Sequence, residues 1–274
     1  CACLVGSEMC IRDRDNYPGF DEGIDGFELA ERMQRGAERF GAVTEYAEVT
    51  AMDLTTQPKQ ITTSAGTFLG KAVILATGAS PRLLGLSNEE ALRGRGVSYC
   101  ATCDGMFFRG KTVVVAGGGN SAAEDALTLS KMCKKVYLVH RRDTLRATQS
   151  YLTPLQNAEN LEFVWNKQID ALDTTDGHLS SIRMTDRVTG ETSSLECDGL
   201  FVAIGRIPDT SLIADQVSCD AQGYIIADET TRTNLLGVFA VGDVRQKPLR
   251  QIITAAADGA TASKFVEEYL QTLS

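Results

Sequence analysis

Thr112-Val-Val-Val-Ala-Gly117-Gly118-Gly119-Asn120-Ser121-Ala122-Ala123 reads as a strand, a glycine turn and the opening of a helix. The outer glycines and Ala122 follow the G-x-G-x-x-G/A pattern, which is weak alone and gains meaning between a strand and a helix. Glycines in that place let backbone N–H groups and the positive end of the helix come up to a pyrophosphate. The helix is predicted over Asn120 to Met132 and the next strand over Lys135 to His140, one βαβ unit that implies a parallel sheet. At the end of that strand, where an acid would hold the ribose 2′-hydroxyl of NAD, the chain has His140-Arg141-Arg142, with Arg146 a turn further on. Guanidinium groups suit a 2′-phosphate bidentately, so NADPH is preferred to NADH. The competing reading is a solvated basic surface, with Asp143 beside it.

Some ten residues upstream stands Cys100-Ala-Thr-Cys103-Asp104-Gly105. Two thiols at this spacing can close into a small disulfide ring and reopen, and Asp104 is placed to take or give a proton as a thiolate forms and leaves. Structural zinc would need four ligands, and His140 and His178 are the only histidines, with no second C-x-x-C, so no metal is expected. Inert packing cysteines are the other bland reading. A thiol pair beside a nucleotide site suggests electrons passing from a nicotinamide to a disulfide. A disulfide does not accept hydride readily, so a mediator is expected, and flavin is the usual one. Gly242-Asp243 after an apolar strand could place a carboxylate on flavin hydroxyls, and Arg250-Gln251 opens a helix whose dipole could face the ring. An Asp after a strand is also a common helix cap.

The rest of the chain is consistent with two modest α/β domains in 274 residues. A helix is expected over Gly26 to Phe40 with Phe27, Ala30, Met33, Ala37 and Phe40 facing inward. Strands are expected at Val43 to Val49, around Gly66 within Ile61 to Phe68, and at Lys71 to Gly78, the last a buried strand whose Thr77-Gly78 end is suited to a ligand. Four stretches, Leu161 to Trp165, Ile169 to Leu172, Leu179 to Asp186 and Glu191 to Cys197, suggest an antiparallel insert. Gly199 to Gly205, Tyr224 to Ala227 and Val238 to Asp243 read as strands, and Gln251 to Leu270 as a long closing helix. Cys133, Cys197 and Cys219 have no partner at useful spacing. The net charge of −9 argues against a nucleic-acid footprint. No apolar run is long enough to span a membrane and no leader opens the chain, so a cytoplasmic setting is expected.

Six motifs in order then resemble one family: Cys-Ala-Thr-Cys-Asp-Gly at 100–105, Gly-Gly-Gly-Asn-Ser-Ala at 117–122, His-Arg-Arg at 140–142, Ala-Thr-Gly-Ala-Ser at 76–80, Val-Phe-Ala-Val-Gly-Asp at 238–243 and Arg-Gln-Ile-Ile-Thr-Ala-Ala at 250–256. Together they resemble the low-molecular-weight, bacterial-type thioredoxin reductases, from about Asp15 to the end. The resemblance implies two Rossmann-like three-layer dinucleotide-binding domains, the NADPH domain (81–210) inserted in an FAD domain (15–80 and 211–274). It implies a homodimer in which NADPH reduces FAD, the flavin reduces the Cys100–Cys103 disulfide and the dithiol reduces thioredoxin. Cys103 would then lie nearest the flavin, Cys100 would attack thioredoxin, and Asp104 would be the general acid. FAD contacts would fall at Asn16, Thr77, Gly78, Gly242, Asp243, Arg250, Gln251 and Ile252. NADPH contacts would fall at Gly117, Gly119, Asn120, Ser121, His140, Arg141, Arg142, Arg146, Ile204 and Gly205. The family also turns its NADPH domain between two arrangements, and the crossings Ala79–Arg82 and Arg206–Thr210 are where this chain could flex.

Two expectations qualify that picture. Residues 1–14 hold three of the eight cysteines, and the stretch Cys3 to Arg14 resembles a translated sequencing-adapter read, so 1–14 are expected to be foreign to the fold; the rival, a Cys-rich metal tract, would need ligand spacing that they lack. The family's opening strand and first glycine turn, roughly fifty residues by the size of a βαβ start, find no counterpart before Asn16, so the FAD domain is read as incomplete. Alternatives left open are the flavoprotein subunit of a peroxiredoxin system, a ferredoxin-fed relative with little use for the His-Arg-Arg clamp, and a non-catalytic redox sensor on the same fold. The truncation reading predicts that residues 15–274, expressed alone, bind FAD poorly; stoichiometric flavin absorbance in the purified protein would refute it.

Overall fold

The computed structural model describes residues 17–273. The chain divides into two compact units, one built from the residues up to Ser80 together with Ile207 onward, the other from Pro81 to Arg206.

The first unit opens with α1 (Gly26–Glu38), started by Asp25, whose side chain accepts from the amides of Phe27 and Glu28 at 2.9 and 3.0 Å. Gly26, Leu29 and Ala30 are its buried residues, whereas Phe27 is 54% and Phe40 82% exposed. The expected inward face is therefore corrected. Phe27 stands about 100° round the helix from Gly26, and Phe40 lies past the last turn. The strand expected at Val43 to Val49 is also corrected: residues 42–48 form no strand, and β1 begins at Val49 (Val49–Asp53). It pairs antiparallel with β2 (Lys59–Thr63), which turns tightly into β3 (Gly66–Gly70). Then comes β4 (Val73–Leu75), shorter than the buried strand expected from Lys71 to Gly78, with Leu75 buried and Val73 and Ile74 half-buried.

Through β5 (Ala79–Pro81) the chain enters the second unit. Its elements are β6 (Val97–Ser98), α2 (Ala101–Asp104), β7 (Thr112–Ala116), α3 (Asn120–Ser130), β8 (Lys135–Val139), α4 (Gln149–Asn157), β9 (Leu161–Val164), then β10 (Lys167–Thr175), β11 (His178–Asp186), β12 (Thr192–Glu196) and β13 (Gly199–Val202). A five-stranded parallel sheet runs in the order β6-β13-β7-β8-β9. Strand β7 explains why its sequence is apolar throughout. Val113 and Val115 pack with Ala122, Ala126 and Leu129 of α3 on one face. Val114 and Ala116 pack with Ile169, Ile182 and Met184 of the antiparallel β10-β11-β12 sheet on the other. Both faces are covered, so no polar alternation is needed. Leu161 to Trp165 was expected in the antiparallel insert; instead β9 is the parallel edge strand, carried there by the crossover helix α4, which sequence patterning did not pick out.

The chain returns through β14 (Arg206–Pro208) to the first unit. Tyr224 to Ala227 is not a strand: Ile225 makes only isolated bridges, to Cys219 and Arg245. Strand β15 (Val238–Ala240) pairs parallel with β4, Ala240 opposite Leu75, over a core of Leu54, Ile213, Val217, Ile225 and Val244. The closing helix is α5 (Ile252–Gln271), within a residue of the expected Gln251 to Leu270.

In the second unit Phe201 is fully buried on β13 and meets Phe108 edge-on, ring centroids 5.2 Å apart. Replacing Phe201 by Ala is expected to cost about 3–5 kcal/mol, measured as a lower denaturant midpoint for this unit's transition; an unchanged midpoint would show that the two sheet faces are not one cooperative core.

Candidate active site

The redox segment is held from both sides. Cys100 caps α2, its Sγ accepting from the Cys103 amide at 3.2 Å, and the two cysteines form a disulfide with Cα atoms 5.3 Å apart. Asp104 closes the same short helix and is 7% exposed; the Ser98 hydroxyl donates to its carboxylate. Upstream, the buried carboxylate of Glu89 accepts from the amides of Leu84 and Gly85 and from the Tyr99 hydroxyl at 2.9 Å. Burial and that carboxylate push the Tyr99 phenol well above its ordinary range. Tyr99 is thus anchored directly before Cys100. Cys133 and Cys197 are buried, and burial pushes their thiols up to about 11 and about 12; they are inert core cysteines. Cys219 is half-buried and also free, its thiol raised by burial. Among the described residues, no cluster of His, Cys, Asp and Glu could hold a metal ion.

The glycine turn sits at the carboxyl end of β7. Gly117 has φ +156°, and a Cβ there would lie 2.4 Å from the Ala203 carbonyl oxygen and 2.7 Å from Ala122 Cβ, so only glycine fits. A Cβ on Gly118 would run into the His140 ring at 2.2 Å, whereas one on Gly119 would meet open space. Gly119 is the N-cap of α3 and brings no side-chain cap, which leaves the first-turn N–H groups available to an anion. The residues therefore fit a pyrophosphate. Asn120 accepts from the Thr148 amide at 2.8 Å and ties the following loop to the turn; Ser121 is exposed beside it.

The basic cluster converges on the same place, but its members differ. His140 is buried against Gly118, and burial, together with the charges of Arg146, Arg141 and Arg142, lowers its pKa, so the ring is neutral at physiological pH. It supports the turn instead of projecting from it. Arg141, Arg142 and Arg146 are exposed, and the Arg146 amide donates to the Gly118 carbonyl at 2.6 Å, which brings that loop onto the turn. Three exposed guanidinium groups around the turn fit a 2′-phosphate. Ile204 is half-buried and Gly205, with φ +111°, is exposed past the end of β13.

In the first unit, parallel pairing of β4 and β15 brings Thr77-Gly78 and Gly242-Asp243 to one sheet edge. Gly78 has φ +76° with open space where a Cβ would stand, and Gly242 has φ +70°. This edge fits a ligand approached by backbone. The Thr77 hydroxyl is spent on the Asp209 carbonyl at 2.6 Å. The Gly242 amide donates to Asp258, which also binds Lys247 and Arg245, so the turn is clamped to α5. Arg250 lies 4.0 Å over the Tyr224 ring, and the Gln251 amide donates to Thr254 at the start of α5, whose first residue is Ile252. Asn16 lies outside the described residues.

Five residues near these sites escaped the sequence reading: Glu89, Tyr99, Ser98, Asp258 and Asp125. Asp125 on α3 is partly buried and accepts from the Ala101 amide, joining the redox helix to the nucleotide helix; burial pushes its carboxyl up to about 7, with Glu124 adding repulsion and Arg206 opposing it. Its folded value lies above the ordinary 3.8, so stability is fully present below about pH 4 and is lost as pH rises through 7. Asp125→Asn keeps an acceptor and removes the charge. It is expected to stabilise the protein at pH 8, by up to about 4 kcal/mol, and to change nothing at pH 4; equal melting shifts at both pH values would contradict this.

Comparison with known proteins agrees with this chemistry. The family model described as pyridine nucleotide-disulphide oxidoreductase matches residues 11–259. A thioredoxin reductase of Treponema pallidum is 44% identical over 98% of this chain and 87% of its own length, and one of Streptomyces clavuligerus is 45% identical over 98% and 84%. Among solved structures, the thioredoxin reductase from Streptococcus pyogenes matches 97% of this chain and 87% of its own, with TM-score 0.88 and 40% identity. Likeness at this level along nearly the whole length means that the chain belongs to the pyridine nucleotide-disulphide oxidoreductases and, within them, to the thioredoxin reductases.

Proposed function

We propose that the protein reduces the disulfide of a thioredoxin at the expense of NADPH, with the Cys100–Cys103 pair as the relay. The observation that carries the reading is a disulfide, closed across one turn of α2 beside a buried carboxylate, in the same unit as a nucleotide-type glycine turn. The family is FAD-containing and NADPH-dependent. NADPH would be held by the backbone of Gly117, Gly119, Asn120 and Ser121, by Arg141, Arg142 and Arg146 at its 2′-phosphate, and by Ile204 and Gly205 past β13, with His140 supporting the turn. FAD would be held by Thr77 and Gly78 with Gly242 and Asp243 at the β4/β15 edge, and by Arg250, Gln251 and Ile252 at the start of α5. When bound there, FAD would supply the two-electron chemistry that links NADPH to the Cys100–Cys103 disulfide.

The chain's own residues do the rest. Cys100, as thiolate, attacks the partner disulfide; the partner's leaving sulfur takes a proton, and a mixed disulfide forms. Cys103 then attacks the Cys100 sulfur, restoring the internal disulfide and releasing the partner as a dithiol. NADPH, one proton and oxidised thioredoxin become NADP⁺ and reduced thioredoxin. Asp104 carries the proton, since it is the acid built into the same helix as both sulfurs. The reading further takes the protein to be a cytoplasmic homodimer that engages neither nucleic acid nor membrane. A reducing compartment suits a thiol pair that must cycle, and no helix among the described residues is long and apolar enough to cross a membrane.

The test uses FAD-loaded full-length protein. NADPH is expected to bleach the flavin in both the parent and Cys100→Ser, whereas thioredoxin reduction should fall at least a thousandfold in the variant. Undiminished turnover in Cys100→Ser would sink the proposal.

A further inference from the structure

One hydroxyl links the two chemical groups of the redox segment. Ser98 ends β6 and is 2% exposed. Its Oγ accepts from the Cys100 amide at 3.2 Å and donates to Asp104 Oδ2 at 2.5 Å. A longer approach to the Cys100 carbonyl, at 3.5 Å, is at the limit of a hydrogen bond. A serine hydroxyl has a single proton to give. With a lone pair taken by the Cys100 amide, that proton goes to the Asp104 carboxyl group. Asp104 is itself buried, so the orientation of its carboxyl plane is set by such bonds and not by water.

The strand that carries Ser98 has little need of the side chain. β6 is two residues long and takes its place in the sheet through backbone pairing with β13. The hydroxyl is directed instead along the chain, across the first turn of α2, to a residue six positions on. It therefore ties the backbone of the attacking cysteine and the carboxyl group behind the second cysteine to the same oxygen atom.

We propose that Ser98 is a positioning residue for the thiol–disulfide chemistry, holding the Asp104 carboxyl in register with the Cys100–Cys103 pair for proton transfer. The inference rests on the reading of Asp104 as the group that carries the proton. It places the control of that proton one element upstream of the C-x-x-C motif, on the edge of the parallel sheet. Ser98 touches no reacting sulfur; it acts through Asp104 and through the Cys100 amide.

The experiment compares Ser98→Val and Ser98→Thr, which have nearly the same shape and differ in the hydroxyl, in FAD-loaded full-length protein with a thioredoxin as substrate. Ser98→Val is expected to lower kcat about tenfold or more, with KM for NADPH and for thioredoxin within twofold of the parent; Ser98→Thr is expected to restore most of the rate. Asp104→Asn alone should slow turnover, and Ser98→Val combined with Asp104→Asn should be no slower than Asp104→Asn. Thermal melting of every variant monitors the fold. Equal kcat in Ser98→Val and Ser98→Thr, or losses that multiply in the double variant, would overturn the role of Ser98 while leaving Asp104 in place. Unchanged turnover in Asp104→Asn would overturn the reading of the acid itself, and with it the inference, but not the disulfide relay.

Discussion

The constraint on which the second unit depends is the double burial of β7. Val113 and Val115 on one side, and Val114 and Ala116 on the other, are each enclosed, and all four are at most 3% exposed. A strand with both faces covered has no freedom to slip or tilt, because a one-residue shift would exchange its two sets of side chains. Its carboxyl end is therefore a fixed point, and the glycine turn leaves from it. The close approach of Gly117 to the Ala203 carbonyl and of Gly118 to the His140 ring extends that fixity into the turn. Any side chain at either position would have to displace backbone or a buried ring.

A second consequence is how the redox helix is seated. α2 is only four residues long, too short to be stable by its own hydrogen bonds. It is held by side chains from its surroundings: Glu89 anchors Tyr99 before it, Ser98 reaches Asp104 at its end, and Asp125 takes the Ala101 amide from α3. Each of these three carboxyl groups is met by different donors. Glu89 accepts from backbone amides and a phenol, Asp104 from a hydroxyl, and Asp125 from an amide with Arg206 nearby. Asp125 is the one pushed into the neutral range, and it is also the one that connects the redox helix to the helix opening the nucleotide turn.

In the first unit the arrangement is looser in kind. Two short parallel strands, β4 and β15, carry their glycine ends to a common edge, and Asp258 secures one of those ends by taking the Gly242 amide while balancing Lys247 and Arg245. The apolar residues expected to cover α1 are in part exposed, as are Val43 and Tyr46 in the irregular stretch after it. An amphipathic period gives the direction of a face but not its width.

What the sequence determined by itself was whatever depends on neighbours along the chain. The β7-turn-α3-β8 unit, the disulfide-capable spacing of Cys100 and Cys103, the basic residues after β8 and the closing helix follow from local period, glycine placement and spacing, and each was legible. Tertiary structure decided the matters that depend on contacts between distant segments. Whether Leu161–Val164 joined the parallel sheet or the antiparallel one turned on α4 as a crossover, and whether Tyr224–Ala227 formed a strand turned on having a partner to pair with. His140 could be read as a phosphate ligand from its place beside two arginines, but only packing shows its ring spent beneath Gly118. Ser98 and Asp125 carry no motif at all: a hydroxyl and a carboxylate gain meaning when folding removes water and brings particular partners to each.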